Sequence, residues 1–167
     1  AGTLPSREAR SLAVEVLLDT GASPSVRLQA LELLPVLRAT GSEDVEILRG
    51  LLSDRTFPAP YLVVRALALL DGPAAGAALI SCLGGGFDDS SRIQAARGLS
   101  SHAADPAAAA ALRDAVLADA SEAVRMAALT SLTDGGVPEA ADLARRIADL
   151  DAAPPRLRRL ARRHLGR

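Results

Sequence analysis

Apolar residues recur along this chain at helical rather than strand-like intervals. In the segment 106–133, Leu112, Val116 and Leu117 mark one stripe, and Val124, Ala128 and Leu132 mark the next at i, i+4 and i+8, the spacing of one helix face. Turn-forming residues break this pattern regularly and divide the chain into ten expected helices. First members of five pairs fall near 6–19, 43–53, 73–83, 106–118 and 138–149. Second members fall near 24–38, 58–70, 90–101, 121–133 and 155–165. Ser23-Pro24 and Asp105-Pro106 each set a capping side chain before a proline at the first helical position, where its missing N–H does no harm. Glu43 and Asp44 place acids at the positive end of a helix. Gly41, Gly84 and Gly135 stand where helices should stop, as left-handed terminators.

A short phrase, Arg-x-x-Ala-x-x-x-Leu, returns on the second helices. It reads Arg27-Leu-Gln-Ala30-Leu-Glu-Leu-Leu34, Arg92-Ile-Gln-Ala95-Ala-Arg-Gly-Leu99, Arg125-Met-Ala-Ala128-Leu-Thr-Ser-Leu132 and Arg158-Arg-Leu-Ala161-Arg-Arg-His-Leu165. Val64-Arg65-Ala-Leu-Ala68-Leu69 is a truncated copy. Successive arginines lie 38, 27, 33 and 33 residues apart, a period of stacked helical units. One helical hairpin cannot enclose both of its apolar stripes, so neighbouring hairpins must cover each other. The expected fold is all-α, an α-solenoid in one continuous domain over 1–167, with units at about 6–39, 43–71, 73–101, 106–133 and 138–166. The tract of alanines 107–111 suits close approach of first helices. The looser stretches are the connector 53–60, with Pro58 and Pro60, and Gly84-Gly85-Gly86, which lacks the Lys-Ser/Thr of a phosphate loop and reads as a turn.

The phrase, preceded by Leu-x-Asp and a short loop, resembles HEAT repeats, in particular the short bacterial class related to phycobilisome-lyase repeats. Leu117-Ala-Asp119-Ala-Ser-Glu-Ala-Val124-Arg125-Met-Ala-Ala128-Leu129 carries the likeness best. It implies a right-handed superhelix of about five HEAT-like hairpins, with first helices convex and second helices concave. It further implies that the loop aspartate caps the second helix while the arginine pairs with acids of adjacent units. That structural ladder would comprise Arg27, Arg65, Arg92, Arg125 and Arg158 with Asp119 and Asp151, and more loosely Asp19, Asp54 and Asp88 or Asp89. The second unit departs most from the pattern, with a longer loop and an ending in Leu70-Asp71-Gly72.

Composition sharpens this reading. Hydrophobic residues make up 49% of the chain but aromatics only 2%, so the core must be built from Ala, Leu and Val, which favours helices. All 19 cationic side chains are arginine, as codon bias in a GC-rich bacterial genome would give. Charge is uneven: residues 1–136 sum to −5 and residues 137–167 to +4. A total of −1 argues against general nucleic-acid affinity. The longest apolar run is far short of the roughly 20 residues a membrane span needs. No secretory leader is legible and the chain starts abruptly, as a piece of a longer protein would. The expectation is a cytoplasmic protein with no membrane contact.

The candidate chemistry is sparse. Cys82 lies in an apolar segment and reads as a small core residue. His102 and His164 stand without Cys or acid at ligand spacing, so no metal is expected. The serines lack an ordered His and Asp, and neither catalysis nor a cofactor is expected. Two binding features remain. Phe57, Tyr61 and Phe87 sit in or beside the connectors of units two and three, where an exposed Tyr–Phe pair would anchor a partner. Arg156, Arg158, Arg159, Arg162 and Arg163, with Arg145 and Arg146, make the last hairpin basic. This is either a solubilising polar cap or a contact for an acidic partner. The expected function is a non-enzymatic scaffold for another protein or peptide, using its concave surface or loop edge. A lyase- or chaperone-like protein holding a prosthetic group or modified peptide is the alternative, and nucleic-acid binding through the basic helix a weaker one.

Overall fold

The computed structural model describes residues 6–34, 42–54 and 56–166. Among them are ten α-helices, one short 3-10 helix and no strand. They run α1 (Ser6–Leu18), α2 (Pro24–Leu33), α3 (Ser42–Ser53), α4 (Pro60–Leu67), α5 (Pro73–Gly84) and α6 (Asp89–Gly98). A 3-10 turn (Leu99–His102) follows, then α7 (Pro106–Ala118), α8 (Glu122–Asp134), α9 (Ala140–Asp149) and α10 (Pro155–Leu165). The end of the expected helix 24–38, and Gly41, lie outside the described residues. None of the described helices is long and apolar enough to cross a membrane.

Local chemistry sets the helix starts. Pro24, Pro60, Pro73, Pro106 and Pro155 all open helices, where the ring pre-sets φ and no hydrogen bond is lost. Asp105 accepts from the Ala107 N–H at 2.9 Å. Ser23 makes no such bond, because its hydroxyl turns 3.1 Å from that of Ser25. The stops differ from expectation. Gly84 closes α5 within the helix, and Gly135 is right-handed at φ −76°; the left-handed residue is its neighbour Gly136 at φ +69°. Gly135 is needed for space instead. A Cβ there would lie 2.4 Å from Ala103 Cβ and 2.9 Å from the Ser100 carbonyl. Gly98, at the end of α6, is likewise required for space, since a Cβ there would come within 2.5 Å of Ala68.

Packing follows chain order. α1 packs on α2, α3 on α4, α5 on α6, α7 on α8 and α9 on α10. Second helices then touch in sequence, α2 with α4, α4 with α6, α6 with α8 and α8 with α10; among first helices, α3 meets α5 and α5 meets α7. Among the described residues, no helices more than two apart make more than marginal contact. One apolar core runs from Leu17 through Leu67, Leu79, Leu112 and Leu132 to Ala161. Each fully buried leucine contributes about 2 kcal/mol by removal from water. Between them lie fully enclosed alanines such as Ala95, Ala96, Ala108, Ala128 and Ala144, which let backbones approach closely.

Candidate functional site

The recurring arginine has a fixed address. Arg27, Arg92, Arg125 and Arg158 are each the fourth residue of α2, α6, α8 and α10, and the alanine three positions on is buried every time. In α4 that fourth position, counted from Pro60, is Val63, and the seventh is the buried Ala66. Arg65 therefore does not occupy the repeat slot. It stands two residues later on the outside of the helix, with its side chain 53% exposed and 3.9 Å from Glu32.

Arg27 shows what the slot can do. Its Nε donates to the Leu17 carbonyl at 3.0 Å, one of the orphan acceptors in the last turn of α1. Its Nη2 reaches Asp54 of the next hairpin's connector at 2.8 Å, and the guanidinium lies 5.0 Å over the Phe57 ring. Arg92 repeats the plan. Nε and Nη2 bond both oxygens of Asp119 at 3.0 and 3.1 Å, Nη1 donates to the Phe87 carbonyl at 2.6 Å, and Asp89 lies 2.8 Å away. Such forked pairs join planar groups and fix their relative orientation.

The other two slots differ. Arg125 donates to the Val116 carbonyl at 2.8 Å and makes no ion pair among the described residues. The expected neighbour-unit acid, Asp151, is fully exposed and lies 3.4 Å from Arg158 of its own hairpin. Asp151 also caps nothing, since Pro154 precedes α10 and Pro155 opens it, and neither presents an N–H group. The positive end of α10 is met from the preceding hairpin, where Glu122 Oε1 accepts from the Leu157 N–H at 3.3 Å.

The connector aspartates turn the chain. Asp19, Asp54 and Asp119 each accept from the N–H two residues on, at 2.8 Å, and Asp88 accepts from the N–H and hydroxyl of Ser91. The Thr56 hydroxyl, then Arg27 and the Thr56 N–H, hold the Asp54 carboxyl down to about 2. Burial works against ionisation of Asp88, but hydrogen bonds from Ser91 and Ser90 outweigh it and leave that carboxyl below its ordinary value. The bond to Asp119 pushes the Arg92 guanidinium upward. Burial likewise pushes the Cys82 thiol up to about 11, as befits an inert core cysteine.

Of the three aromatics, only Tyr61 is on the surface, 40% exposed. Phe57 is 4% exposed, folded back beneath Arg27, and Phe87 is half-buried against the core. The expected exposed Tyr–Phe anchor therefore does not form. Tyr61 stands one turn before Arg65 on α4, and Arg65 reaches Glu32 of α2; Leu33 and Leu69 are exposed as well.

On the last hairpin Arg145, Arg146, Arg156, Arg159, Arg162 and Arg163 are all exposed. Arg145 pairs with Asp142, and Arg162 donates to the Ala148 carbonyl at 3.1 Å. Arg146, Arg156, Arg159 and Arg163 have no carboxylate within 4 Å among the described residues. His164 lies 3.3 Å from the Thr133 hydroxyl, and His102 packs its ring against Gly76.

Sequence reasoning missed three contacts. Arg10 of α1 bonds Asp44 of α3, and Glu43 lies 3.7 Å away. Glu122 caps α10, and Gly98 makes room for Ala68. The Arg10 and Glu122 contacts join residues more than 30 positions apart, which no local spacing announces. The chain matches no protein-family model and is significantly similar to no curated protein.

Proposed function

We propose that this chain is an α-solenoid of five HEAT-like hairpins that serves as a non-enzymatic scaffold for another protein. The observation that carries the reading is the order of packing: among the described residues, helices pack on their hairpin partners and on adjoining hairpins, with no more than marginal contact further away. In such an array every hairpin keeps one side open, and many weak contacts accumulate along a row of like helices. The superhelix is taken as right-handed, with the even-numbered helices on its concave side. The arginine slot serves this architecture and not ligand capture, since Arg27 and Arg92 spend their donors on carbonyls and carboxylates of their own and adjacent hairpins.

The partner surface we assign is the exposed side of α4 and the end of α2, where Tyr61 stands one turn from Arg65 and Arg65 reaches Glu32, with Leu33 and Leu69 exposed nearby in the chain. Apolar area with a polar tip at its centre is what protein interfaces use as anchors. Affinity capture from a native lysate tests this with a double variant, Tyr61→Asp with Leu69→Asp. Both side chains are exposed, so the variant should keep its melting temperature and lose the partner that the unmodified protein retains. Equal retention by both proteins would remove this surface from consideration.

A further inference from the structure

We infer that the outer side of α10 is a docking stripe for a short acidic segment of a partner protein. The inference rests on the scaffold reading in taking the bound object to be protein. Arg156, Arg159 and Arg163 follow one another at i, i+3 and i+7 on one side of α10, all exposed and none with a carboxylate within 4 Å among the described residues. Their span is about 10 Å along the helix, which matches carboxylates on successive turns of an acidic helix.

A polar cap alone does not account for this pattern. Solvating the end of an array requires charge, but not charge of one sign. Like charges three and four residues apart repel one another. Arg156 also stands in the first turn of α10, against the positive end of its dipole, where the helix has no acid of its own and the one carboxylate capping it, Glu122, comes from α8. The helix gives up stability to keep its surface uniformly positive, and a carboxylate-bearing ligand would relieve that strain by forked hydrogen bonds to guanidinium.

Charge elsewhere narrows the ligand to a short one. Residues 1–136 carry −5, and Asp151 lies 3.4 Å from Arg158 at the start of α10. A nucleic acid, with its unbroken line of phosphates, would be repelled beyond so short a patch. A lipid surface finds no broad apolar face among the described residues of this hairpin, because Leu143, Ile147, Leu157 and Ala161 are buried and the exposed large apolar side chains are Leu150 and Leu165.

The test is fluorescence polarisation of a short fluorescein-labelled poly-glutamate peptide with the full chain, repeated with a labelled duplex oligonucleotide and with phosphatidylserine vesicles. Poly-glutamate should bind best, and its affinity should fall about tenfold or more in Arg159→Glu with Arg163→Glu, and with added salt. The control Arg97→Glu with Arg113→Glu, exposed arginines on α6 and α7, should bind as the unmodified protein does. Equal melting temperatures exclude a folding effect. Equal peptide affinity in both variants, or tighter binding of duplex or vesicles than of peptide, overturns the proposal. Capture of a partner through Tyr61 without peptide binding would overturn the stripe and leave the scaffold reading standing; peptide binding without such capture would leave the stripe standing and remove only the Tyr61 surface.

Discussion

Arg27 and Arg65 carry the same side chain and have opposite worth. Arg27 is 3% exposed and holds Leu17, Asp54 and Phe57 at once. Arg27→Ala strands a buried carbonyl and uncovers an aromatic ring, and should cost about 3 kcal/mol in urea denaturation. Arg65→Ala, at an exposed pair of 3.9 Å, should change stability by less than about 0.5 kcal/mol. Asp54 adds a pH signature. Its carboxyl is held at about 2 in the folded chain against an ordinary 3.8, so the unfolded chain takes up the proton first. The stabilisation is complete above the ordinary value and disappears as pH falls from about 4 to about 2. Denaturation midpoints measured across that window should slope less steeply in Asp54→Asn than in the unmodified chain; identical slopes would refute the assignment. The arginine slot itself was legible in units one, three, four and five, because Arg-x-x-Ala-x-x-x-Leu recurs there in full and the arginine is the fourth residue of its helix each time. Unit two was misread because Val64-Arg65 imitates the phrase, whereas Pro60 counts forward to Val63. What could not be read was the direction of each guanidinium, which depends on where the next connector puts its carboxylate.

At the scale of the helix, the joints between hairpins depend on small residues at second-helix ends. Gly135 shows that a glycine after a helix need not be left-handed, for its φ is −76° and the constraint is crowding by Ala103 and Ser100. Gly135→Ala should therefore lower the melting temperature by several degrees through displacement of the 3-10 turn. Gly84→Ala, where a Cβ meets nothing within 4 Å, should leave it unchanged or raise it, since alanine favours a helix. Matching shifts in the two variants would show that crowding is not the constraint. Helix number and placement were legible from the 3.6-residue stripes together with prolines at the starts. Helix ends were less so, because termination here is decided by what a neighbouring hairpin leaves room for.

At the scale of the molecule, order along the chain and order in space coincide. A chain ending at residue 136, without α9 and α10, should keep a folded remainder whose circular dichroism at 222 nm falls only in proportion to the helices removed. Its melting temperature should drop, because Leu129 and Leu132 of α8 are buried on the helix that packs against α10. Collapse of all helical signal would mean that the core is shared across the whole chain and not between neighbours. The period of about 33 residues made this arrangement legible before any contact was seen. The surfaces were not legible in the same way, since Phe57 and Tyr61 lie four residues apart and only the folded connector hides one and presents the other.

Glu122 gives the array a grammar. The last hairpin starts its second helix on borrowed charge, since Pro154 has no side-chain acceptor and the carboxylate comes from the hairpin before it. A duplicate of that hairpin spliced on behind would find Pro155 at the place where Glu122 stands and would begin uncapped. These modules are thus not interchangeable beads: the fifth can close the string, but it cannot follow itself.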